Sequence, residues 1–180
     1  TFSQFRINPE EFILKAARLI NDEKATQIIE HITYNRLDAA YDQDVFTRAT
    51  LRGKLDVNAM EANRSLYSHV IYDSDNERRF AQELDVSDQV AVYVKLPGSF
   101  YISTPVGKYN PDWAIAFNEG SVKHIYFVAE TKGNLDTMEL RGVENAKIEC
   151  AKKHFAAISN GSVVYSVVDN YSTLMQLVSN

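Results

Sequence analysis

"YNPDWAIAFNEGSVKHIYFVAETKG", residues 109–133, holds two apolar runs, Asp112–Phe117 and Ile125–Glu130, joined by the turn-forming "NEGS". Runs of this length, rich in aromatic and β-branched residues and bounded by turn residues, predict two strands. Asp112 opens the first and Glu130 closes the second. If the strands are antiparallel neighbours, the start of one lies beside the end of the other, so both carboxylates come to one sheet edge. Lys132 follows Glu130 by two residues and shares its face in an extended chain. Trp113, on the opposite alternation from Asp112, is expected in the core. Thr131 alternates away from Glu130 and Lys132 and is expected to be packed or hydrogen-bonded.

Working outward, the pattern extends into an α/β fold. Upstream, Val90–Leu96 and Phe100–Ser103 read as strands, with "LPGS" and "VGKYNP" as turns. A short helix, "NERRFAQELD", precedes them, capped by Ser74 or Asp75. Downstream, Met138–Ile158 carries an apolar stripe at helical spacing, and Gly161 in "SNG" suits its end. "SVVYSVVD" is a continuous apolar run, expected as a central, buried strand, and a weak helix or tail closes the chain over 171–180. This order predicts a mixed central sheet flanked by helices. Residues 8–35 predict a helix with Asn8 as cap, Pro9 at its first position and a break near Asn21-Asp22. Short helices are expected around 44–52 and 56–63. The character changes near residue 67, so residues 1–66 read as a largely helical segment and 67–180 as the α/β domain.

Composition narrows the function. Residues 1–66 carry 9 basic and 10 acidic side chains, and 67–180 carry 10 and 14, for a net charge of −5. Such a balance argues against non-specific nucleic-acid affinity, which needs basic surface. The single cysteine, Cys150, forms no internal disulfide or cysteine zinc cluster and fits a reducing, cytosolic setting. No apolar run approaches the roughly 20 residues of a membrane span, and residues 1–20 do not read as a signal peptide. The chain opens on Thr1 rather than Met, as expected for a piece of a longer protein.

Two acids and an amine at one edge suit a hard cation. Mg²⁺ takes oxygen ligands and usually only one or two protein carboxylates, with substrate phosphate and water completing its shell. Lys132 would then stand near an attacking water or the charge developing on a phosphodiester. Glu77, in the first turn of "NERRF", is a candidate third carboxylate. The plainer alternative is that charges at strand ends are solvated and that Pro111-Asp112 is a turn.

Pro111-Asp112 followed by Glu130-Thr131-Lys132, between apolar strands and before a helix, is the PD-(D/E)XK pattern. With "LPGSFYISTPVGKYNPDWAIAF", "YFVAETKG", "LRGVENAKIECAKKHF", "FRINPEEFI" and "IIEHITYN", the chain resembles the C-terminal part of the restriction (helicase–nuclease) subunit of type III restriction enzymes. The resemblance covers essentially the whole chain and is most specific over Leu96–Phe155. It implies a restriction-endonuclease-like core after a helical connector from an ATP-driven motor. It also implies a DNA-methyltransferase partner and Mg²⁺-dependent double-strand cleavage of unmethylated DNA, with Mn²⁺ as a possible substitute, in the bacterial cytoplasm. Carried over by position, Asp112 and Glu130 are metal-binding acids and Lys132 is the catalytic lysine. Glu77 is the acid of the first core helix, and the main-chain carbonyl of Thr131 is a further metal ligand. No GxxxxGK[ST] motif occurs, so ATP belongs to the longer subunit and not to this chain. DNA would be held by motor and partner, which answers the charge objection. The rival reading is a non-catalytic docking module for the methyltransferase or a second copy of the enzyme.

Lys108, Lys123, Lys132, Arg141, Lys147, Lys152 and Lys153 are the basic groups that could meet phosphates, with Lys108, Arg141 and Lys147 favoured. Arg141, Glu144 and Lys147, at i, i+3 spacing, read either as surface ion pairing or as a polar face flanking the site. His154 and Cys150 have metal-capable spacing but no further ligands, so a half-buried helix surface is the simpler reading. Arg78-Arg79 reads as solvated, with a DNA contact as the alternative.

Overall fold

The computed structural model describes residues 2–35, 54–55, 57–105, 107–120, 126–131, 141–159 and 163–179, with the backbone alone described for 2–4, 22, 25, 26, 28, 30, 126–130 and 141–143. Helices α1 (Phe2–Ile7) and α2 (Pro9–His31) open the chain. Strands β1 (Ala59–Glu61) and β2 (His69–Ile71) follow, then α3 (Asp75–Val86) and strands β3 (Val90–Lys95), β4 (Ile102–Thr104), β5 (Gly107–Tyr109), β6 (Trp113–Phe117) and β7 (Tyr126–Thr131). Helix α4 (Arg141–Ser159), strand β8 (Val163–Val168) and helix α5 (Tyr171–Ser179) complete it.

The two runs of the opening stretch are indeed neighbours. The main sheet has the order β3-β6-β7-β8; β6 is antiparallel to β3 and β7, while β8 runs parallel to β7. The parallel step from β7 to β8 is the crossover that contains α4, as a parallel pair requires. Gly120 takes the positive φ of 81° in the β6–β7 connection, and Gly107 a φ of 109° where the β4–β5 hairpin turns; both values favour glycine.

Each face of the sheet has its own core. On one face Tyr93, Trp113, Ile115, Phe117 and Val168 pack with Phe80 and Leu84 of α3 and Leu174 and Val178 of α5. On the other, Tyr165 packs with Ile148, Ala151 and Phe155 of α4 and with Ile102 and Tyr109 of the β4–β5 hairpin. Tyr165 stacks on Phe155 at 5.7 Å between ring centroids, and the Tyr109 and Tyr165 hydroxyls are hydrogen-bonded. Helix α2 joins this side through Ile29, against Ala146 and Cys150, and Lys153 Nζ donates to the Ile29 carbonyl at 2.6 Å.

The sequence expectations need four corrections. Helix α2 runs unbroken through Asn21-Asp22. Residues 59–61 form a strand rather than part of a helix, because Ala59, Met60 and Glu61 pair with Ile71, Val70 and His69. This β1–β2 hairpin spans the expected boundary at residue 66. Strand β5 was not foreseen. Strand β8 lies at the end of the described sheet rather than at its centre; its continuous apolar run reflects burial from both faces, with Val164 and Val168 toward one core and Val163, Tyr165 and Val167 toward the other. The expected helix at 44–52, the glycine stop at Gly161, Gly133 and the first residues of the long helix lie outside the described residues.

Candidate active site

Trp113 pairs with Ala129, and the register continues through Ala114↔Val128. One step in the other direction, Asp112 stands opposite Glu130, the position where directly paired Cβ atoms lie about 4.5–5.5 Å apart. Extended by that one step, the register sets the backbone positions of Asp112 and Glu130 side by side at the ends of β6 and β7. The Glu130 side chain lies outside the described residues, and so does the whole of Lys132.

Asp112 is anchored from both neighbouring strands. Its carboxylate Oδ2 accepts from the Thr131 N–H at 2.8 Å and from the Thr131 hydroxyl at 2.9 Å. Its carbonyl accepts from the Leu96 N–H at 2.8 Å. The Thr131 hydroxyl in turn accepts from Trp113 Nε1 at 3.2 Å. Thr131 is thus satisfied as expected, but by the acid itself. Trp113 is fully buried, with ring centroids 5.7 Å from Phe80 and 6.3 Å from Tyr93. A buried indole fixes a threonine, and the threonine fixes a carboxylate at the sheet edge. The linking hydroxyl was missed in the sequence, where the only cue was a hydrogen-bonding side chain two residues short of Gly133.

Glu77 sits in a second polar cluster. Ser74 caps α3, its hydroxyl accepting from the Glu77 N–H at 3.2 Å. Glu77 Oε2 accepts from the Asp73 N–H at 2.7 Å and from Lys95 Nζ at 2.7 Å, and Lys95 also reaches Asp73 Oδ2 at 2.8 Å. Burial opposes the charge on Lys95, but the two carboxylates hold its ammonium above the usual lysine range. Lys95 is the register partner of Trp113. Lys95 and Asp73 were not singled out in the sequence; a charged end to an otherwise apolar strand was the available signal.

The basic residues are scattered. Lys108 Nζ lies 3.9 Å from the Tyr101 ring centroid, and Lys147 is half-buried on α4. Lys152 pairs with Glu149 at 2.7 Å. Arg78 pairs with Asp75 at 3.2 Å, and Arg79 is exposed. The Arg141 side chain and Lys123 lie outside the described residues. His154 is half-buried, edge-on to Tyr34 and Phe155, and beside it Cys150 is buried with its thiol pushed up by burial. That environment is a packed helix surface.

The donors present fit a hard divalent cation. Among the described residues no three His, Cys, Asp or Glu side chains gather as a metal cluster, but Mg²⁺ needs only one or two protein carboxylates, and Asp112 with the position of Glu130 supplies that number. Also among the described residues, no helix is long and apolar enough to cross a membrane.

Neither the curated proteins nor the solved structures contain a match to the chain. The endonuclease-domain family model matches residues 63–171, which run from the connection between β1 and β2 to the first residue of α5 and include Asp112, Glu130 and Lys132. With more than half of its length matched, and with an acid-bearing sheet edge inside the matched region, the chain belongs to the endonuclease domain family.

Proposed function

We propose that this chain is the Mg²⁺-dependent PD-(D/E)XK endonuclease domain of a type III restriction enzyme, cutting DNA phosphodiesters. In this reading a longer subunit supplies an ATP-driven motor, and a methyltransferase partner recognises the site, in the bacterial cytoplasm. The observation that carries the reading is the register that sets Asp112 opposite Glu130, with the Asp112 carboxylate fixed by Thr131. Exposed Ile13, Leu14, Leu19 and Ile20 on α2 support a connector that meets another protein surface.

Asp112 and Glu130 would hold the cation, with the Thr131 carbonyl as a further oxygen donor. When bound, Mg²⁺ supplies an acidic water and charge neutralisation on the phosphate. The protein's share is positional. Thr131 orients the Asp112 carboxylate through two donated hydrogen bonds. Lys132, two residues beyond Glu130, stabilises negative charge gathering on the non-bridging phosphate oxygens. Hydrolysis proceeds by direct attack of water, with no covalent enzyme intermediate. Lys108, Arg141 and Lys147 contribute phosphate contacts. Two such domains cooperate to cut both strands.

The test is nicking of supercoiled plasmid by the chain in Mg²⁺ or Mn²⁺. Cleavage is expected to vanish in Asp112→Ala and Lys132→Ala; circular dichroism should show that both variants fold, with Asp112→Ala losing some stability because the Thr131 N–H and hydroxyl lose their acceptor. Cutting by either variant at near the unaltered rate would refute the site. If the chain alone is inactive, Asp112→Ala in the assembled motor–methyltransferase complex decides: retained cleavage there favours the docking-module reading.

A further inference from the structure

Glu77 is the acid that the resemblance offers as a third member of the site, and its surroundings point elsewhere. Its Oε2 takes two donors, the Asp73 N–H and the Lys95 ammonium. The Glu77 side chain is 14% exposed and that of Lys95 20%, so solvent screens this pair little. A divalent cation on Glu77 would stand beside a fixed ammonium of the same sign. Within a partly desolvated cluster that repulsion is strong.

Position separates the two clusters as well. Lys95 pairs with Trp113, so the two side chains share a face of the sheet, the face on which α3 packs. Asp112 and Glu130 are the next residues along, on the alternate positions. The clusters are nevertheless joined through the backbone. The residue after Lys95, Leu96, donates its N–H to the Asp112 carbonyl. Lys95 therefore ties the start of α3 to the end of β3 at the point where β3 grips Asp112. Lys95 and Asp73 also line a cavity of about 190 Å³, together with Tyr67 and His69, so cations in solution can reach the cluster.

We propose that Lys95 is a positioning residue for Asp112: clamped by Glu77 and Asp73, its ammonium fixes the end of β3 and keeps Glu77 from binding a divalent cation, leaving that role to Asp112 and Glu130. This rests on the metal-binding reading of Asp112. In this arrangement the ammonium is a resident cation that occupies the acid of the first core helix, and the fold needs no second metal there.

Mn²⁺ binding, measured calorimetrically on the whole chain, tests the proposal without reference to activity. Asp112→Asn is expected to weaken binding by about tenfold or more, as loss of a metal-site carboxylate should. Glu77→Gln is expected to weaken binding clearly less than Asp112→Asn does, since Glu77 acts only through Lys95, which Asp73 still holds. Lys95→Met should add a second Mn²⁺ equivalent, because Glu77 and Asp73 are then uncompensated; Glu77→Gln in that background should remove it. A purely structural role for Lys95 would produce no such gain and loss. Weakening by Glu77→Gln comparable to that of Asp112→Asn would overturn the proposal, and so would a Lys95→Met protein that folds but gains no site. Should Lys95→Met not fold, Glu77→Gln alone decides. Unaltered Mn²⁺ binding by Asp112→Asn would sink the metal reading itself, a result distinct from any Glu77 outcome; absence of Mn²⁺ binding by the unaltered chain would overturn both.

Discussion

Trp113 shows how a core residue and a site residue are linked through one side chain. The indole is fully buried between Phe80 and Tyr93, and its Nε1–H reaches the Thr131 hydroxyl that donates to Asp112. Packing and polar anchoring can be separated by mutation. Trp113→Ala is expected to cost about 3–5 kcal/mol, the range for deleting a large buried aromatic, read as a fall in the denaturant midpoint at constant slope. Trp113→Phe keeps most of the volume and removes the N–H, so its cost should be nearer the ~1 kcal/mol of a single hydrogen bond. An unchanged midpoint in the Ala variant would contradict its placement in the core. The alternation of "PDWAIAF" was enough to put Trp113 inside and Asp112 at the edge. What it could not convey is that Thr131, on the neighbouring strand, bridges them: a hydrogen bond across strands depends on register, and register is a property of two segments.

Among the elements, legibility tracks length and hydrophobic contrast. Strands β3, β6, β7 and β8 and helix α4 each bury an apolar face, and each was visible in the sequence. Of the strands of three residues, β4 was read within Phe100–Ser103, while β1, β2 and β5 carry too few alternations to register; the pairing of β1 with β2 and of β4 with β5 defines them. The break expected in α2 fails for an energetic reason. Asn and Asp in a helix interior cost at most about 0.7 kcal/mol each relative to Ala, and α2 has a cap, Glu11 N–H donating to Asn8 Oδ1 at 3.1 Å, and a Lys15–Glu11 pair to offset them. The β1–β2 hairpin is held to the main sheet chiefly through Asp85 near the end of α3. Its carboxylate accepts from the Asn63 and Arg64 N–H groups, both at 2.9 Å to Oδ1, and from the Tyr93 hydroxyl at 3.2 Å. Arg64 N–H and C=O groups also engage Asp85 and the Tyr93 N–H, forming a bridge between hairpin and β3. Asp85→Ala leaves several donors without their acceptor and should destabilise by about 1–3 kcal/mol. Hydrogen exchange should locate the loss: the amides of residues 59–71 should lose protection ahead of those in β6. Uniform loss across both would mean that the hairpin is no separate tie.

At the scale of the whole molecule, stability rests on two cores back to back across one sheet, and each core carries a titratable group whose ionisation is disturbed by folding. His154, edge-on to Tyr34 and Phe155 beside the α4-side core, is lowered by burial. For Asp85, beside the α3-side core, burial opposes ionisation, but hydrogen bonds from Arg64, Asn63 and Tyr93 outweigh it and hold the carboxyl below its usual range. Both folded values are depressed, so in both cases the unfolded chain takes up the proton first as pH falls. For His154 the contribution is complete above its unfolded value of about 6.5, and for Asp85 above about 3.9; each is lost as pH falls through the corresponding folded value. The melting temperature should therefore decline in two stages on acidification, one starting below about pH 6.5 and one below about pH 4. His154→Phe should flatten the first stage and leave the second, while Asp85→Asn should flatten the second alone. A melting temperature that stays level from pH 7 to 5 in the unaltered chain, or that falls equally in His154→Phe, would show that burial at the α4 face does not hold the imidazole neutral. Since Tyr34 also bonds the Ser103 carbonyl at 3.1 Å, charging His154 should loosen the contact between α2, α4 and the β4–β5 hairpin, away from Asp112. Mn²⁺ binding by the Asp112 edge should then show no inflection near the first stage.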